Sequence, residues 1–433
     1  MTLTESHAAL GFTPHILGLY DRGYARLDDL YISLPYEAMQ ELLQSFPTDL
    51  LSLRILELSV SDSSLDAMDE PLPPIEMDIR IGPALRRLYL YHVYFRALAG
   101  PTNIRVLEMQ NYGVWDEEGP TLDEFLDILR RCPLLEILRL NDAGPLLDFE
   151  TTRYPDPLRD PVPLSHLECV MLTLDPQDVA QILAHLDIPE TAQIGCYSTL
   201  PDLDDDFVCM LPRRSHNLRM VPELHSAVFT HRPDRTEFTV QGFGRRKPSA
   251  QVKLYPPRIH LEFEWVEIDK PDNELHRKAV DTMALLSLGF RSATIRDIHI
   301  QCDWSKIMLA EWRRILTNFV GVTHLHLASL RDPRVDQTPH SCAFLRALLP
   351  STSAQVCPKL QVMHFTDLVA DDDFVREALE VFTQRASTGI TLERLVVIQR
   401  IESAVVWPAF PPETIRQFSR HVVTNICCAM AAF

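Results

Sequence analysis

The stretch Leu122–Leu140, L-D-E-F-L-D-I-L-R-R-C-P-L-L-E-I-L-R-L, contains both kinds of element from which the fold is predicted. Its first half places apolar side chains three and four residues apart, which is the spacing of one helix face. Its second half follows the pattern L-x-x-L-x-L at Leu135, Leu138 and Leu140. Alternate side chains of a strand point to opposite faces, so the sequence predicts a helix followed by a half-buried strand.

The strand pattern, with apolar equivalents of leucine, returns along most of the chain. It occurs at Leu53-Leu56-Leu58, Leu85-Leu88-Leu90, Ile104-Leu107-Met109, Leu135-Leu138-Leu140, Ile295-Ile298-Ile300, Val322-Leu325-Leu327, Leu360-Met363-Phe365 and Leu392-Leu395-Val397. Helix-like stretches lie between these strands. A repeated strand, loop and helix predicts an α/β solenoid, with a parallel sheet on its concave side and helices on its convex side. The spacing varies between 19 and 38 residues, which predicts an irregular horseshoe.

The helix signals are local and specific. Thr121 and Glu124 form a capping-box pattern at the start of one predicted helix, and Asp175-Pro176 starts another. Further helices are predicted over residues 36–46, 273–288, 309–320, 343–349 and 373–385. The apolar stripe of residues 413–429 predicts a terminal helix that caps the solenoid.

Residues 191–257 interrupt the repeat pattern. We predict three regions: an N-terminal repeat half over 1–190, an irregular insertion over 191–257, and a C-terminal repeat half over 258–433 with the terminal capping helix. The insertion holds an acidic stretch, and a predicted hairpin pairs Glu237–Val240 with Val252–Leu254. Its basic patch is Arg245, Arg246 and Lys247.

Composition excludes several classes of function. The 433 residues carry a formal net charge of −19, which argues against binding to nucleic acid or to an anionic membrane. No apolar run has the length of a spanning helix, and the first ten residues do not have the features of a secretory signal. The nine cysteines form no paired framework. We therefore expect an intracellular protein, either cytoplasmic or nuclear.

The repeats resemble those of the divergent F-box proteins with leucine-rich repeats that are numerous in fungi. The resemblance covers most of the chain and is strongest over Leu85–Leu140, which contains L-D-x-L-R-R-C-P-L-L-E-x-L-R-L. In that family an F-box binds the Skp adaptor of a cullin-based ubiquitin ligase, and the repeats hold the protein to be ubiquitinated. The resemblance implies a substrate-recognition role of that kind.

The chain departs from the family in two places. Leu34-Pro35-Tyr36-Glu37 echoes the start of an F-box, but no V-C-x-x-W stretch follows Leu51. The sequence therefore predicts a helix of the first repeat there, and Skp or cullin partners only if an F-box is cryptic or lies elsewhere. The asparagine found at position nine of many leucine-rich repeats is also missing. Those positions hold Val93, Tyr112, Ala143, Leu330 and Leu368.

Position five of each repeat predicts what the open face of the sheet displays. In the first half this column holds Glu57, Tyr89, Glu108 and Arg139, with Glu168 next if Leu164-Leu167-Cys169 is a further repeat. Position seven adds Tyr91, Gln110 and Asn141. A mixed polar and aromatic surface of this kind is typical of protein recognition.

In the second half the same column holds four histidines, His260, His299, His326 and His364. Adjacent strands lie about 4.8 Å apart, so the imidazoles are predicted to be near neighbours. Three interpretations stay open: a half-buried row without a special role, a pH-sensitive binding face, and a zinc site. No cysteine or carboxylate in the column completes a known metal-ligand spacing, and no metal is assigned.

The basic patch has two interpretations, a solvated loop or a docking site for acidic or phosphorylated segments. Catalytic and nucleotide-binding motifs, including G-x-S-x-G, H-E-x-x-H, the P-loop and the dinucleotide fingerprint, are absent from the sequence. We therefore expect a protein-interaction module that is not an enzyme and uses no cofactor. The alternatives are a structural repeat protein with an unrelated partner and an enzyme whose motif is not recognised.

Overall fold

The computed structural model describes residues 2–3, 28–44, 49–50, 52–61, 74–77, 80–98, 102–110, 119–146, 161–200, 210–212, 217–232, 237–244, 256–265, 272–291, 293–330, 342–349, 355–366, 372–400 and 422–431. The chain divides into two compact units. Unit 1 comprises Met1–Ser198 and Met210–Arg219, and unit 2 comprises Thr199–Cys209 and Met220–Phe433. Both are mixed α/β structures built on mostly parallel strands, so the predicted α/β class is confirmed.

Unit 1 contains a large parallel sheet. Its described strands are β1 (Thr2–Leu3), β2 (Asp29–Leu34), β3 (Asp49–Leu50), β4 (Ile55–Val60), β5 (Ile75–Glu76), β6 (Arg80–Ile81), β7 (Arg87–Tyr91), β8 (Val93–Tyr94), β9 (Val106–Gln110), β10 (Ile137–Asn141), β11 (Val162–Pro163), β12 (Cys169–Thr173), β13 (Leu186–Asp187) and β14 (Gln193–Leu200). The order β1-β2-β4-β7-β9-β10-β12-β14 follows the chain, and each pair of neighbours is parallel. Strands β3-β6, β5-β8 and β11-β13 form three short parallel pairs.

The leucine pattern forms the core of unit 1, as predicted. Leu56, Leu88, Leu107 and Leu138 lie side by side in one register row, and none is more than 1% exposed. Burying each such side chain contributes about 1.5–3 kcal/mol relative to leaving it in water. Because one slip in register would turn these side chains to solvent, the pattern also fixes how the strands pair.

Three described helices cover the leucine side of the unit 1 sheet: α1 (Tyr36–Gln44), α2 (Leu122–Arg130) and α3 (Pro176–Ala184). The predicted capping box starts α2. The backbone N–H of Thr121 donates to Glu124 Oε2 at 2.8 Å, and the N–H of Glu124 donates to Thr121 Oγ1 at 3.3 Å. Along the chain, helix α1 comes after β2 and before β4, and these two strands pair in parallel. This is the order of elements predicted for a first repeat.

Helix α3 buries a carboxyl group. Asp178 is 6% exposed, and its Oδ1 has no hydrogen-bond partner. Burial, followed by the charge of Asp175, raises the pKa of Asp178 to about 7. A raised pKa means that the ionised form of Asp178 is disfavoured in the folded state. Asp178 therefore does not lower the free energy of unfolding below its unfolded pKa of about 4, and it lowers that free energy most above pH 7.

Asp178→Asn should therefore stabilise unit 1 at alkaline pH. We expect a gain of about 1–2 kcal/mol at pH 8.5, since the amide leaves its own unmet hydrogen bonds, and no gain at pH 4. Urea unfolding at both pH values measures this difference. Asp123→Asn is the matched control, because Asp123 lies exposed in the first turn of α2. Equal gains for both variants would contradict the assignment to burial.

Unit 2 contains the strands β15 (Ser226–Arg232), β16 (Glu237–Phe243), β17 (Ile259–Trp265), β18 (Asp297–Cys302), β19 (His324–Ser329), β20 (Val362–Thr366), β21 (Leu392–Arg400) and β22 (Val422–Ala431). They lie in the order β17-β16-β15-β18-β19-β20-β21-β22. Pairs from β15-β18 onward are parallel, whereas β15-β16 and β16-β17 are antiparallel. Leu325 and Met363 are register partners, as the repeat pattern predicts.

Three strands lie within the described part of the segment predicted as an irregular insertion. Strand β14 continues the parallel order of unit 1, and β15 and β16 belong to the sheet of unit 2. The predicted hairpin is wrong in its pairing: Glu237–Phe243 pairs with Ser226–Arg232 on one side and Ile259–Trp265 on the other. Residues 252–254 lie outside the described residues. Leucines are scarce in β15 and β16, because valine, threonine and phenylalanine supply the alternation there.

The described helices of unit 2 are α4 (Asp272–Gly289), α5 (Leu309–Leu316), α6 (Ala343–Ala347) and α7 (Asp372–Ser387), close to the predicted ranges. Aromatic rings join these helices to the sheet. Trp304 is fully buried, with Phe344 and Phe365 at centroid distances of 6.3 and 6.0 Å, and Phe344 lies 4.9 Å from Trp312. The pairs of Phe344 with Trp304 and with Trp312 are edge-to-face, and such pairs add about 0.5–1.5 kcal/mol each beyond burial.

The predicted terminal helix over 413–429 is wrong where the structure describes it. Val422–Ala431 is a strand, β22, which pairs in parallel with β21. Residues 413–421 lie outside the described residues. The helix was predicted from the helical spacing of the apolar residues in this segment. The consecutive β-branched residues Val422, Val423 and Thr424 favour a strand, and the edge of the sheet provides the backbone partners.

Candidate functional site

The face of the unit 1 sheet opposite the leucines carries one continuous row of side chains. Tyr31, Glu57, Tyr89, Glu108, Arg139 and Met171 are register partners on neighbouring strands, and we call them the unit 1 row. The structure therefore brings together the four residues predicted for this half. The next row holds Tyr91, Gln110 and Asn141, as position seven predicts.

Polar contacts connect Glu108, in the middle of the unit 1 row, to Arg139 of the same row and to Tyr91 of the next row. Glu108 is only 8% exposed, and its carboxylate accepts from the Tyr91 hydroxyl at 3.4 Å and from Arg139 Nη1 at 3.0 Å. The Arg139 side chain is 48% exposed at the end of this pair. Arg139 therefore neutralises Glu108 while most of its fork stays accessible to a partner.

Electrostatics in this row disfavour additional negative charge. Burial, together with the nearby Glu108 carboxylate, raises the pKa of Glu57. Burial and the same carboxylate raise the pKa of Tyr91 to about 12. Both shifts mean that Glu57 and Tyr91 hold their protons more tightly than free side chains do. Tyr91 therefore stays a neutral phenol that donates to the Glu108 carboxylate.

Met171, and not Glu168, follows Arg139 in the row. The strand begins at Cys169, and its buried side chains are Val170 and Leu172, so the repeat there is Leu167-Val170-Leu172. The prediction took the pattern three residues too early. Gly195 is the next register partner, and a Cβ atom there would stand 2.6 Å from Met171 Sδ. A glycine at this position gives the methionine side chain its space.

Unit 2 carries a second row on the face opposite its core. His260, Gln241, Val228, His299, His326 and His364 are register partners across β17, β16, β15, β18, β19 and β20, and we call them the unit 2 row. Three of the four predicted histidines are direct neighbours. The centroid of the His326 ring lies 5.0 Å from that of His299 and 5.7 Å from that of His364.

The prediction that the four imidazoles are near neighbours is wrong for His260, because β15 and β16 lie between its strand and that of His299. His260 Nδ1 lies 3.1 Å from Gln241 Nε2, and its Nε2 lies 3.0 Å from Glu262 Oε2. The order in the sheet does not follow the order in the chain here. A one-dimensional pattern contains no information about that crossover.

Two of the neighbouring histidines, His299 and His326, share a hydrogen bond. Nδ1 of His326 lies 3.1 Å from Nδ1 of His299, so one nitrogen carries the shared hydrogen and the other accepts it. Nε2 of His326 lies 2.7 Å from Thr366 Oγ1. If both rings became cationic, two N–H groups would face each other and the bond would break. The arrangement therefore requires that at least one of the two rings is neutral.

Burial lowers the pKa of all three neighbouring histidines, His299, His326 and His364. It lowers the pKa of His326 to about 4, with further contributions from His299 and His364. The pKa values of His299 and His364 also fall, with burial as the main cause. Nearby His324 adds to both shifts, and its Nδ1 lies 2.8 Å from Asp297 Oδ1. The rings of His299, His326 and His364 are therefore neutral near pH 7.

The same face of unit 2 contains a pocket of about 340 Å³. Its lining includes Ser226, Thr230, Thr239, Gln241, His260 and Gln301. We call this pocket the unit 2 trough. The leucine pattern does not predict this pocket, because four strands contribute to it and two of those strands lack the pattern. The alternation of polar side chains in residues 226–232 and 237–243 is the signal that was available.

The zinc interpretation has no support in this geometry. Among the residues that the structure describes, no three His, Cys, Asp or Glu side chains are placed to hold one metal ion. The rings of His299, His326 and His364 lie side by side in one register row, and His326 uses its two ring nitrogens to hydrogen-bond His299 and Thr366. The basic patch of Arg245, Arg246 and Lys247 lies outside the described residues.

The chain matches no known family model, and no curated protein is significantly similar to it. Of the helices that the structure describes, none combines the length and the apolar content that a membrane span requires.

Proposed function

We propose that this chain is a protein-recognition module without catalytic activity, and that each unit is a solenoid of leucine-rich-repeat type. The observation that carries the proposal is the unit 1 row. Tyrosine, glutamate, arginine and methionine side chains stand in register on six strands, on the face that the described helices leave uncovered. Tyrosine, methionine and arginine are enriched in protein interfaces, and tyrosine and arginine are the common anchors.

The solenoid part of the proposal rests on order and spacing. Every neighbour pair in the unit 1 sheet is parallel and follows the chain, with α1, α2 or α3 between some of the strands. Each layer buries its leucines against the next, as in repeat proteins whose core grows by stacking. The same stacking leaves one sheet face available to a partner. The proposed role follows from that uncovered face.

The experiment compares capture of partners by matched variants of the full chain. Tyr89→Ala with Arg139→Ala removes one half-buried and one exposed side chain of the row, and Arg130→Ala is the control on the helical side. Arg130 has a side-chain exposure of 43%, close to the 48% of Arg139. We expect proteins retained from an extract of the source organism by the wild type to fall tenfold or more with the double variant.

The control should retain those proteins at the wild-type level. Equal retention by all three chains, or no specific retention by the wild type, would refute the proposal. Thermal unfolding of each variant shows whether the fold is intact. Recovery of Skp and cullin components in the lost set would connect the module to ubiquitin ligases. Recovery of other proteins would identify a repeat protein with an unrelated partner.

A further inference from the structure

The unit 2 trough has the dimensions of an extended chain. Its lining runs along β15 from Ser226 to Arg232 and crosses four strands, β17, β16, β15 and β18. Six steps along a strand span about 20 Å, and three gaps between strands span about 14 Å. A peptide of about six residues in extended conformation has the same length. The trough is therefore long enough for an extended segment of that length.

Each of the two carboxylates in its walls already has a partner. Arg232 Nη1 lies 3.8 Å from Glu237 Oε2, and His260 Nε2 lies 3.0 Å from Glu262 Oε2. A cationic ligand would have to compete with Arg232 and His260 for these carboxylates, and an anionic ligand would meet both of them. The walls therefore favour an occupant that is uncharged.

The remaining polar groups of the walls are hydroxyls and amides. Ser226 is 1% exposed and lines the trough, and its hydroxyl has no hydrogen-bond partner. Thr230, Thr239 and Gln301 add two hydroxyls and one amide. Such groups both donate and accept, as do the backbone and the amide side chains of a peptide. A buried hydroxyl without a partner is costly, and an occupant that bonds it removes that cost.

We infer that the unit 2 trough binds an extended, uncharged polar segment of a partner protein, rich in serine, threonine, asparagine or glutamine. This inference rests on the proposed role in protein recognition and adds the chemistry of the partner. A peptide is favoured over a neutral sugar chain. Phe243, the aromatic side chain in the lining, is 7% exposed and offers little ring face for stacking on a sugar.

The test is selection of random eight-residue peptides displayed on phage against the full chain. Binding of the selected peptides is then measured by fluorescence anisotropy. Gln301→Arg and Thr239→Arg each place a long cation in the trough. Thr317→Arg is the control, because Thr317 is exposed at the end of α5. Two trough variants keep the test valid if one of them unfolds, which circular dichroism detects.

We expect the selected peptides to be uncharged and polar, and to bind the wild type and Thr317→Arg within about twofold. Both trough variants should bind at least tenfold more weakly, and affinity should change little between low and high salt, since no ion pair forms. Selection of charged sequences, equal binding by all variants, or binding of cellohexaose in place of peptides would overturn the inference. If capture through the unit 1 row succeeds while this test fails, only the trough assignment is lost.

Discussion

Arg385→Met should lower the free energy of unfolding of unit 2 by about 3 kcal/mol. Arg385 lies on α7, is 1% exposed, and donates to three backbone carbonyls. Nη1 bonds the oxygens of Leu348 and Val356 at 2.7 and 3.0 Å, and Nη2 bonds the oxygen of Cys357 at 2.9 Å. The guanidinium thus connects α7 to the end of α6 and to the segment that leads into β20.

The size of this effect follows from what the variant leaves behind. Methionine fills much of the volume but donates to none of the three oxygens, and each buried acceptor without a partner costs about 1–3 kcal/mol. Removing a buried charge offsets part of that loss, because burial lowers the pKa of Arg385, which means that its charged form is disfavoured there. Arg385→Lys should also destabilise, since one ammonium group lacks the planar fork that reaches all three carbonyls.

Urea unfolding followed by circular dichroism measures the loss, and hydrogen exchange should show it first in α7 and β20. Arg376→Met is the matched control on the same helix. Its side chain is 75% exposed and pairs with Asp373 in solvent, so we expect a change below about 0.5 kcal/mol. A loss below about 1 kcal/mol for Arg385→Met would show that the carbonyls find other donors.

Acid should destabilise unit 2 through the three neighbouring histidines, His299, His326 and His364. A pKa lowered in the folded state means that the unfolded chain binds protons first as the pH falls. The contribution of His326 is therefore fully present above its unfolded pKa of about 6.5, and it is lost as the pH drops toward its folded pKa of about 4. The difference between these values corresponds to about 3 kcal/mol. His299 and His364 act in the same direction.

The decisive measurement is the pH dependence of the difference between the wild type and His326→Gln. We expect the wild type to be more stable at pH 7.5, and the difference to close or reverse by pH 4.5. His166→Gln is the control, because His166 is exposed in a loop before β12. Titration of the imidazole signals by nuclear magnetic resonance provides an independent check. A midpoint near pH 6.5 for His326 would contradict the buried position of His326 between His299 and His364.

Local sequence was sufficient for the elements whose stability depends on near neighbours. The capping box of Thr121 and Glu124 predicts where α2 begins, because both partners lie within one turn. Leu138 and Leu140 predict β10, because alternation places both on one buried face. From the same alternation, Glu57, Tyr89, Glu108 and Arg139 could be assigned to one open row. No alignment or partner was needed for these assignments.

Tertiary contacts decided the rest. The crossover that places β15 and β16 between His260 and His299 depends on which strand edges meet, and residue spacing does not encode that choice. The same holds for Val422–Ala431, where pairing with β21 outweighs an apolar stripe at helical spacing. The trough and the burial of Asp178 and Arg385 likewise arise from segments far apart in the chain. Sequence thus determined the repeating strands and helices, because their patterns act over one turn or one pleat. The tertiary structure alone determined the order of the strands and the environment of the buried polar groups, because both depend on long-range packing.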